Sequence, residues 1–223
     1  MKDKIKKLFI IIQVVIDYVG WRSIFGSLFF AAIIFCIIGT NFFRVPVEKL
    51  DGTRAQYYCD QKLLSPYLNL DVKVVGEDEL LYNIKGEFSY PLYDNLTMTN
   101  SEGNKIGYSD DEYNSISQND HYIFIDSELR YHFDGKIKHF ADRYEVYNTN
   151  EEVIATAYFG SNNEKGYVLV DLEGNVLAEY GHSMFSKDFV VSIYENCPID
   201  DRSVILMFAS YHSDARADAD ENQ

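Results

Sequence analysis

Polar and apolar positions divide this chain into three stretches. Residues 23–43 read SIFGSLFFAAIIFCIIGTNFF, without a single charge, and match the ~20 residues a helix needs to cross a hydrocarbon core. Before them, Ile5, Leu8, Phe9, Ile12, Ile16 and Val19 share one helical face while lysines crowd the first turns. That basic amphipathic pattern lies in a membrane interface or extends the spanning helix. After residue 65 the period falls to that of strands. Short alternating or β-branched runs occupy 72–75, 80–84, 87–90, 95–99, 105–108, 121–126, 129–133, 136–140, 143–148, 153–159, 166–171, 175–180 and 189–194, separated by turn residues.

Asp134-Gly135 sits between two of these runs and signals a two-residue hairpin. LTMTNSEGNKIGYS, YEVYNTNEEVIATAY and YVLVDLEGNVLAEYG share one form, a strand, a polar turn, and a strand opening on Val or Ile. Consecutive hairpins without a βαβ pattern predict an antiparallel barrel or sandwich. The last apolar run, Val204 to Ala209, is apolar on every side if helical, and such a helix must be buried all round. Asp200 or Asp201 caps it, and its Met, Leu and Ala content favours helix over one more buried strand. A buried helix in a β protein predicts a sheet wrapped around it.

The expected organisation is a basic amphipathic segment at 1–22, a transmembrane helix at 23–43, a juxtamembrane linker at 44–65, a β-barrel domain at 66–216 and an acidic tail at 217–223. A cleaved signal peptide competes for the N-terminal apolar block, but Tyr18 to Arg22 form no small-residue cleavage site. Four lysines and Arg22 precede the span and Arg44 and Lys49 follow it. The bias places the N-terminus in the cytoplasm and residues 44–223 outside the cell membrane.

The charge is uneven. The chain carries −15 overall and residues 1–43 carry +3, which leaves −18 on residues 44–223. An acidic domain of that size repels nucleic acid and anionic lipid at long range. High Tyr and Phe content, 18 and 15 residues, fits a β-rich fold. Cys36 lies in the apolar span, while Cys59 and Cys197 lie outside it and can pair, although their spacing does not require it.

Candidate chemistry is sparse. His132 and His139 flank the expected turn at 134–135 as diagonal neighbours, a poor chelating geometry that needs further ligands. Asp110, Asp111 and Glu112 fall in an expected solvated loop without an EF-hand pattern. Ser183 and Ser186 lie near His182, but that spacing imposes no triad. His121 and His212 show no ligand spacing. No nucleophile elbow, phosphate-cradling loop or zinc-protease helix occurs. No catalytic, cofactor-binding or metal residue is therefore assigned, and no cofactor is expected.

RYEVYNTNEEVIATAYF, GYVLVDLEGNVLAEYG and SMFSKDFVVSIYENCPIDDRSVILMFASYHSDAR together resemble the tubby-like superfamily, in its LURP-one-related branch, which includes phospholipid-scramblase-like domains. Asp171 and Gly174 match the turn of that pattern, Phe185 its connection, Asp200 or Asp201 its acidic turn and Asp214 its terminal aspartate. The match covers about residues 120–216. The resemblance implies a closed antiparallel barrel of twelve strands around a central C-terminal helix. Tubby proteins bind phosphoinositide headgroups through a basic pocket. Here Lys136 and Lys138, with Arg130 and Arg143 nearby, are the local cations on an otherwise acidic domain. The expected function is a non-enzymatic, single-pass membrane protein acting as a binding or structural module for a protein or lipid partner. A lipid-interacting protein and an enzyme with an unrecognised site are the alternatives.

Overall fold

The computed structural model describes residues 50–62, 67–89, 93–112, 120–138, 141–159, 167–182 and 188–221. Twelve antiparallel strands follow one another: β1 (Thr53–Gln61), β2 (Asn69–Val74), β3 (Leu80–Ser89), β4 (Tyr93–Asn100), β5 (Lys105–Glu112), β6 (Asp120–Ile125), β7 (Glu128–Lys138), β8 (Ala141–Tyr147), β9 (Val153–Phe159), β10 (Val168–Asp171), β11 (Val176–His182) and β12 (Phe189–Tyr194). Each pairs with its sequence neighbours, and β1 pairs with β12, so the sheet closes into a barrel. Closure removes the exposed strand edges that would invite pairing with other chains.

One helix, α1 (Asp201–Glu221), fills the barrel. Asp200 is its N-cap: Oδ1 accepts from the Ser203 backbone N–H at 3.1 Å, and Oδ2 accepts from the Ser203 hydroxyl at 2.6 Å. Every residue from Ser203 to Tyr211 is buried, so the helix has no solvent face in that stretch. Eight strands already leave an interior just wide enough for wall side chains to fill. At twelve strands, the wall needs a central body to pack on. Ile84, Leu96, Met98, Ile123, Phe133, Val146, Phe159 and Val191 point inward and share one apolar cluster with Val204 to Ala209. Phe159 stacks on Tyr211 with ring centroids 3.7 Å apart. At Gly107 in β5 the wall has little room beside the helix: an added Cβ would stand 3.2 Å from Leu206 Cδ1 and 3.0 Å from both Ile125 Cδ1 and the Phe124 carbonyl.

The three similar sequence segments fold into three equivalent loops. Asn100, Asn148 and Asp171 each turn a side-chain oxygen back onto the backbone N–H groups two and four residues on, at 2.8–3.1 Å. The fourth loop residue is left-handed in each: Gly103 (φ 85°), Glu151 (φ 61°) and Gly174 (φ 91°). A register shift follows in each hairpin.

The strand boundaries differ from expectation at four places. The stretch at 44–65, read as linker, contains β1, whose Tyr57 and Cys59 point into the core. The runs at 80–84 and 87–90 are one strand, β3. Asp110, Asp111 and Glu112 extend β5 instead of forming a loop, because Asp111 finds a buried charge partner. Asp134-Gly135 lies inside β7 and makes no turn. The turn falls at Asp126-Ser127, both left-handed (φ 53° and 67°), with Ile125 paired to Glu128. Gly135 instead faces inward opposite Tyr144, whose ring stacks on Phe133 at 4.3 Å.

Cys59 and Cys197 are both buried and free. Among the described residues no helix is long and apolar enough to cross a membrane. The segments expected at 1–22 and 23–43 lie outside the described residues; of the acidic tail expected at 217–223, residues 217–221 continue α1 and 222–223 lie outside the described residues.

Candidate functional site

Strand alternation sends His121, Ile123 and Ile125 inward from β6. His121 is fully buried, and both of its ring nitrogens meet carboxylates: Nδ1 lies 2.6 Å from Asp111 Oδ1 on β5, and Nε2 lies 2.8 Å from Asp214 Oδ2 on α1. Two acceptors of this kind are best satisfied by an imidazolium donating from both nitrogens. Burial alone would lower the pKa of His121, but the charges of Asp214 and Asp111 and their hydrogen bonds outweigh it and raise it to about 10. Asp111 is itself raised, because burial and the Asp214 charge exceed the pull of His121. The Ser109 hydroxyl donates to Asp111 at 3.1 Å, and the Ser210 hydroxyl donates to Ser109 at 3.0 Å. The set holds serine, histidine and aspartate, but serine addresses aspartate rather than histidine, and both hydroxyls are sealed from solvent. It is a latch between helix and wall, without the nucleophile–base contact that acyl transfer needs.

A second latch joins α1 to β11 and β1. The Tyr180 hydroxyl lies 2.6 Å from His212 Nδ1, and His212 Nε2 lies 3.0 Å from Gln61 Oε1. Gln61 Oε1 can only accept, so Nε2 donates to it and Nδ1 accepts from the hydroxyl. At the other end of α1, Arg54 binds Asp201 from Nε at 3.0 Å and Nη2 at 2.6 Å and also reaches the carbonyls of Cys197 and Ile199. The Tyr57 hydroxyl donates to the second Asp201 oxygen at 2.6 Å. Arg202 makes a two-pronged pair with Asp126 in the β6–β7 turn.

Among the described residues, open space is found on the outer wall. A cleft of about 480 Å³ runs along β6–β8 and is lined by Tyr122, Tyr131, His132, Asp134, Tyr147 and Glu151 among others. His132 points outward from β7 between its two cross-strand neighbours, with centroids 4.5 Å from Tyr122 and 5.5 Å from Tyr147. Asp120 and Asp134 are direct cross-strand partners in the adjacent row. One ligand atom each from Asp120, His132 and Asp134 lies within 4.8 Å of the others.

The candidates named from sequence separate. His132 belongs to this outer cluster, with two aspartates as neighbours. His139, Ser183 and Ser186 lie outside the described residues, as do the side chains of His182, Lys136 and Lys138. Arg130 pairs with Glu128 at 2.8 Å, and Arg143 reaches Glu145 at 3.3 Å while lying over the Tyr158 ring. Each of these two arginines is paired with a carboxylate on its own strand. The Asp111–His121–Asp214 latch escaped sequence reading: its histidine and its second aspartate stand 93 residues apart, and only the inward alternation of His121 with Ile123 and Ile125 hinted at burial. Compared with known proteins, the chain matches no family model and no curated sequence.

Proposed function

We propose that this chain is a single-pass membrane-anchored, non-enzymatic β-barrel protein of the tubby-like kind, whose domain beyond residue 44 binds a partner through its outer wall. The observation that carries this is the filled lumen. Ser203 to Tyr211 occupy the axis and are buried all round, so among the described residues the lumen is packed where a lipocalin-type cup would be open. The described polar groups inside are joined to one another in latches, and a cleft is open on the exterior. Twelve strands closed on a C-terminal helix is the architecture that the tubby-like resemblance implies, and it supports that kinship. The anchor rests on the uncharged run at 23–43 and the lysines before it.

The partner is not expected to be an anionic bilayer. Residues 44–223 carry −18, and the described arginines near β7 are paired with carboxylates. A vesicle experiment tests both parts. Full-length chain reconstituted in neutral vesicles should resist alkaline extraction and float with lipid, while a chain beginning at residue 45 should float with neither neutral nor phosphatidylserine-containing vesicles. Salt-sensitive flotation of the shorter chain on the anionic vesicles would instead establish the lipid-interacting reading. Alkaline release of the full chain would remove the anchor.

A further inference from the structure

We propose that Asp120, His132 and Asp134 form a site for one divalent metal ion of the zinc class on the outer wall of the barrel. The three belong to adjacent antiparallel strands and point to the same side. Asp120 opposes Asp134 directly, and His132, opposite Tyr122, is the diagonal neighbour of Asp120. His132 Nε2 lies 4.0 Å from Asp120 Oδ2, and one ligand atom from each of the three falls within 4.8 Å of the other two. Ligands at about 2.1 Å from a tetrahedral ion stand about 3.4 Å apart, so the three ligand atoms need to draw together by no more than about 1.4 Å to close the set.

Charge and ligand type point to the same class of ion. Carboxylates directly opposite each other across two strands repel, and Glu145 continues the row on β8 opposite Asp134. A divalent cation bridging Asp120 and Asp134 neutralises two charges at once. Imidazole beside two carboxylates suits zinc, manganese or cobalt, whereas calcium and magnesium take all-oxygen sets. The His132 ring is already oriented by stacking between Tyr122 and Tyr147, so little ordering is left for binding to accomplish. Three protein ligands leave coordination positions open, and His132 and Asp134 line the cleft that gives water or a partner's donor access to them. Arg143, the nearest described cation on β8, is engaged by Glu145 and the Tyr158 ring.

The test uses the full chain in detergent, stripped with chelator and titrated with zinc chloride by calorimetry and by thermal melting. One equivalent should bind and raise the melting temperature by several degrees at saturating zinc. His132→Gln and Asp134→Asn should each weaken that binding at least tenfold and abolish the thermal shift, while Asp110→Asn, an exposed carboxylate nearby, should leave both intact. Metal-free His132→Gln and Asp134→Asn should each keep the near-ultraviolet circular dichroism and cooperative melting of the unsubstituted chain, so loss of binding is not ascribed to unfolding. Absence of heat and thermal shift in the unsubstituted chain would overturn the site. So would zinc binding undiminished in both variants.

Discussion

His121→Phe isolates the energetic role of the buried latch. The phenyl ring approximates the imidazole in size and stays between Phe133 and Tyr144, whose centroids stand 5.9 and 6.2 Å from the His121 ring. What disappears is the positive charge and both N–H donors. Asp214 retains partial access to solvent, with a side chain 17 % exposed, but the Asp111 side chain is 2 % exposed and is left as a nearly uncompensated charge. Removing one member of a buried pair costs about 3–5 kcal/mol, whereas replacing the whole pair by apolar groups is often neutral. Urea unfolding followed by near-ultraviolet circular dichroism should therefore show a loss of about 3–5 kcal/mol in His121→Phe. Much of it should return in His121→Phe/Asp111→Leu. A single-variant loss under about 1 kcal/mol, or a double variant no better than the single, would refute the latch as an ionic device.

The same latch sets a pH dependence of definite sign. His121 binds its proton more tightly folded than unfolded, with its pKa raised from 6.5 to about 10. Its contribution is complete below about 6.5 and is lost as pH rises towards 10. The thiols of Cys59 and Cys197, both pushed up by burial, also withdraw stability as pH passes their unfolded value near 9. They do so in both proteins, so the stability difference between the unsubstituted chain and His121→Phe is the readout. It should shrink steadily from pH 6.5 to 10; a constant difference would contradict the imidazolium assignment.

Other substitutions probe the core and the loops. Leu206→Asp places a charge at a position with no exposure on the barrel axis and should abolish cooperative melting, because an isolated buried carboxylate costs several kcal/mol. Gly107→Ala drives a methyl to 3.0 Å from the Phe124 carbonyl and 3.2 Å from Leu206 and should cost about 1–3 kcal/mol by chemical unfolding. Glu151→Gly should stabilise by about 0.5–1 kcal/mol, since Glu151 holds φ 61° where the sister loops use Gly103 and Gly174. Cys59 and Cys197 should resist iodoacetamide in the folded chain and react fully in urea, read by intact mass, since both are buried with raised pKa values.

Fold was legible in the sequence where the signal is local, and illegible where a distant partner decides. The helix could be read because its cap and its apolar run are contiguous from Asp200 to Ala209. The three equivalent loops could be read because Asn100, Asn148 and Asp171 stand at one place in a repeated pattern. Asp134-Gly135 misled because the pair looks like a type I′ turn in isolation, yet Gly135 lies buried inside β7 opposite Tyr144. Asp126-Ser127, a weaker turn signal, takes the left-handed conformations. The end of β5 was missed because Asp111 reads as a solvated acid until His121 and Asp214 stand beside it. Of the outer cluster, His132 was visible, but its aspartates emerge only from the β6–β7 register, which depends on where the turn lies.

The positions of the latches say how the barrel is held together. Arg54 and Tyr57 bind the first turn of α1 to β1, and Arg202 binds it to the β6–β7 turn. Farther along, His212 returns to β11 and β1 while Asp214 reaches β6 and, through His121, β5. The helix is thus cross-braced to strands from both the first and the last thirds of the chain. Only the pairing of β1 with β12 closes the sheet, and that seam joins the most distant strands in sequence. Loop-closure entropy opposes such a contact until burial rewards it. Burial here needs α1 in place, since Leu206, Phe208 and their neighbours supply the apolar surface at the centre of the wall. Closure of the seam and entry of the helix therefore belong to one cooperative step, and the ionic latches fix which turn of the helix faces which strand.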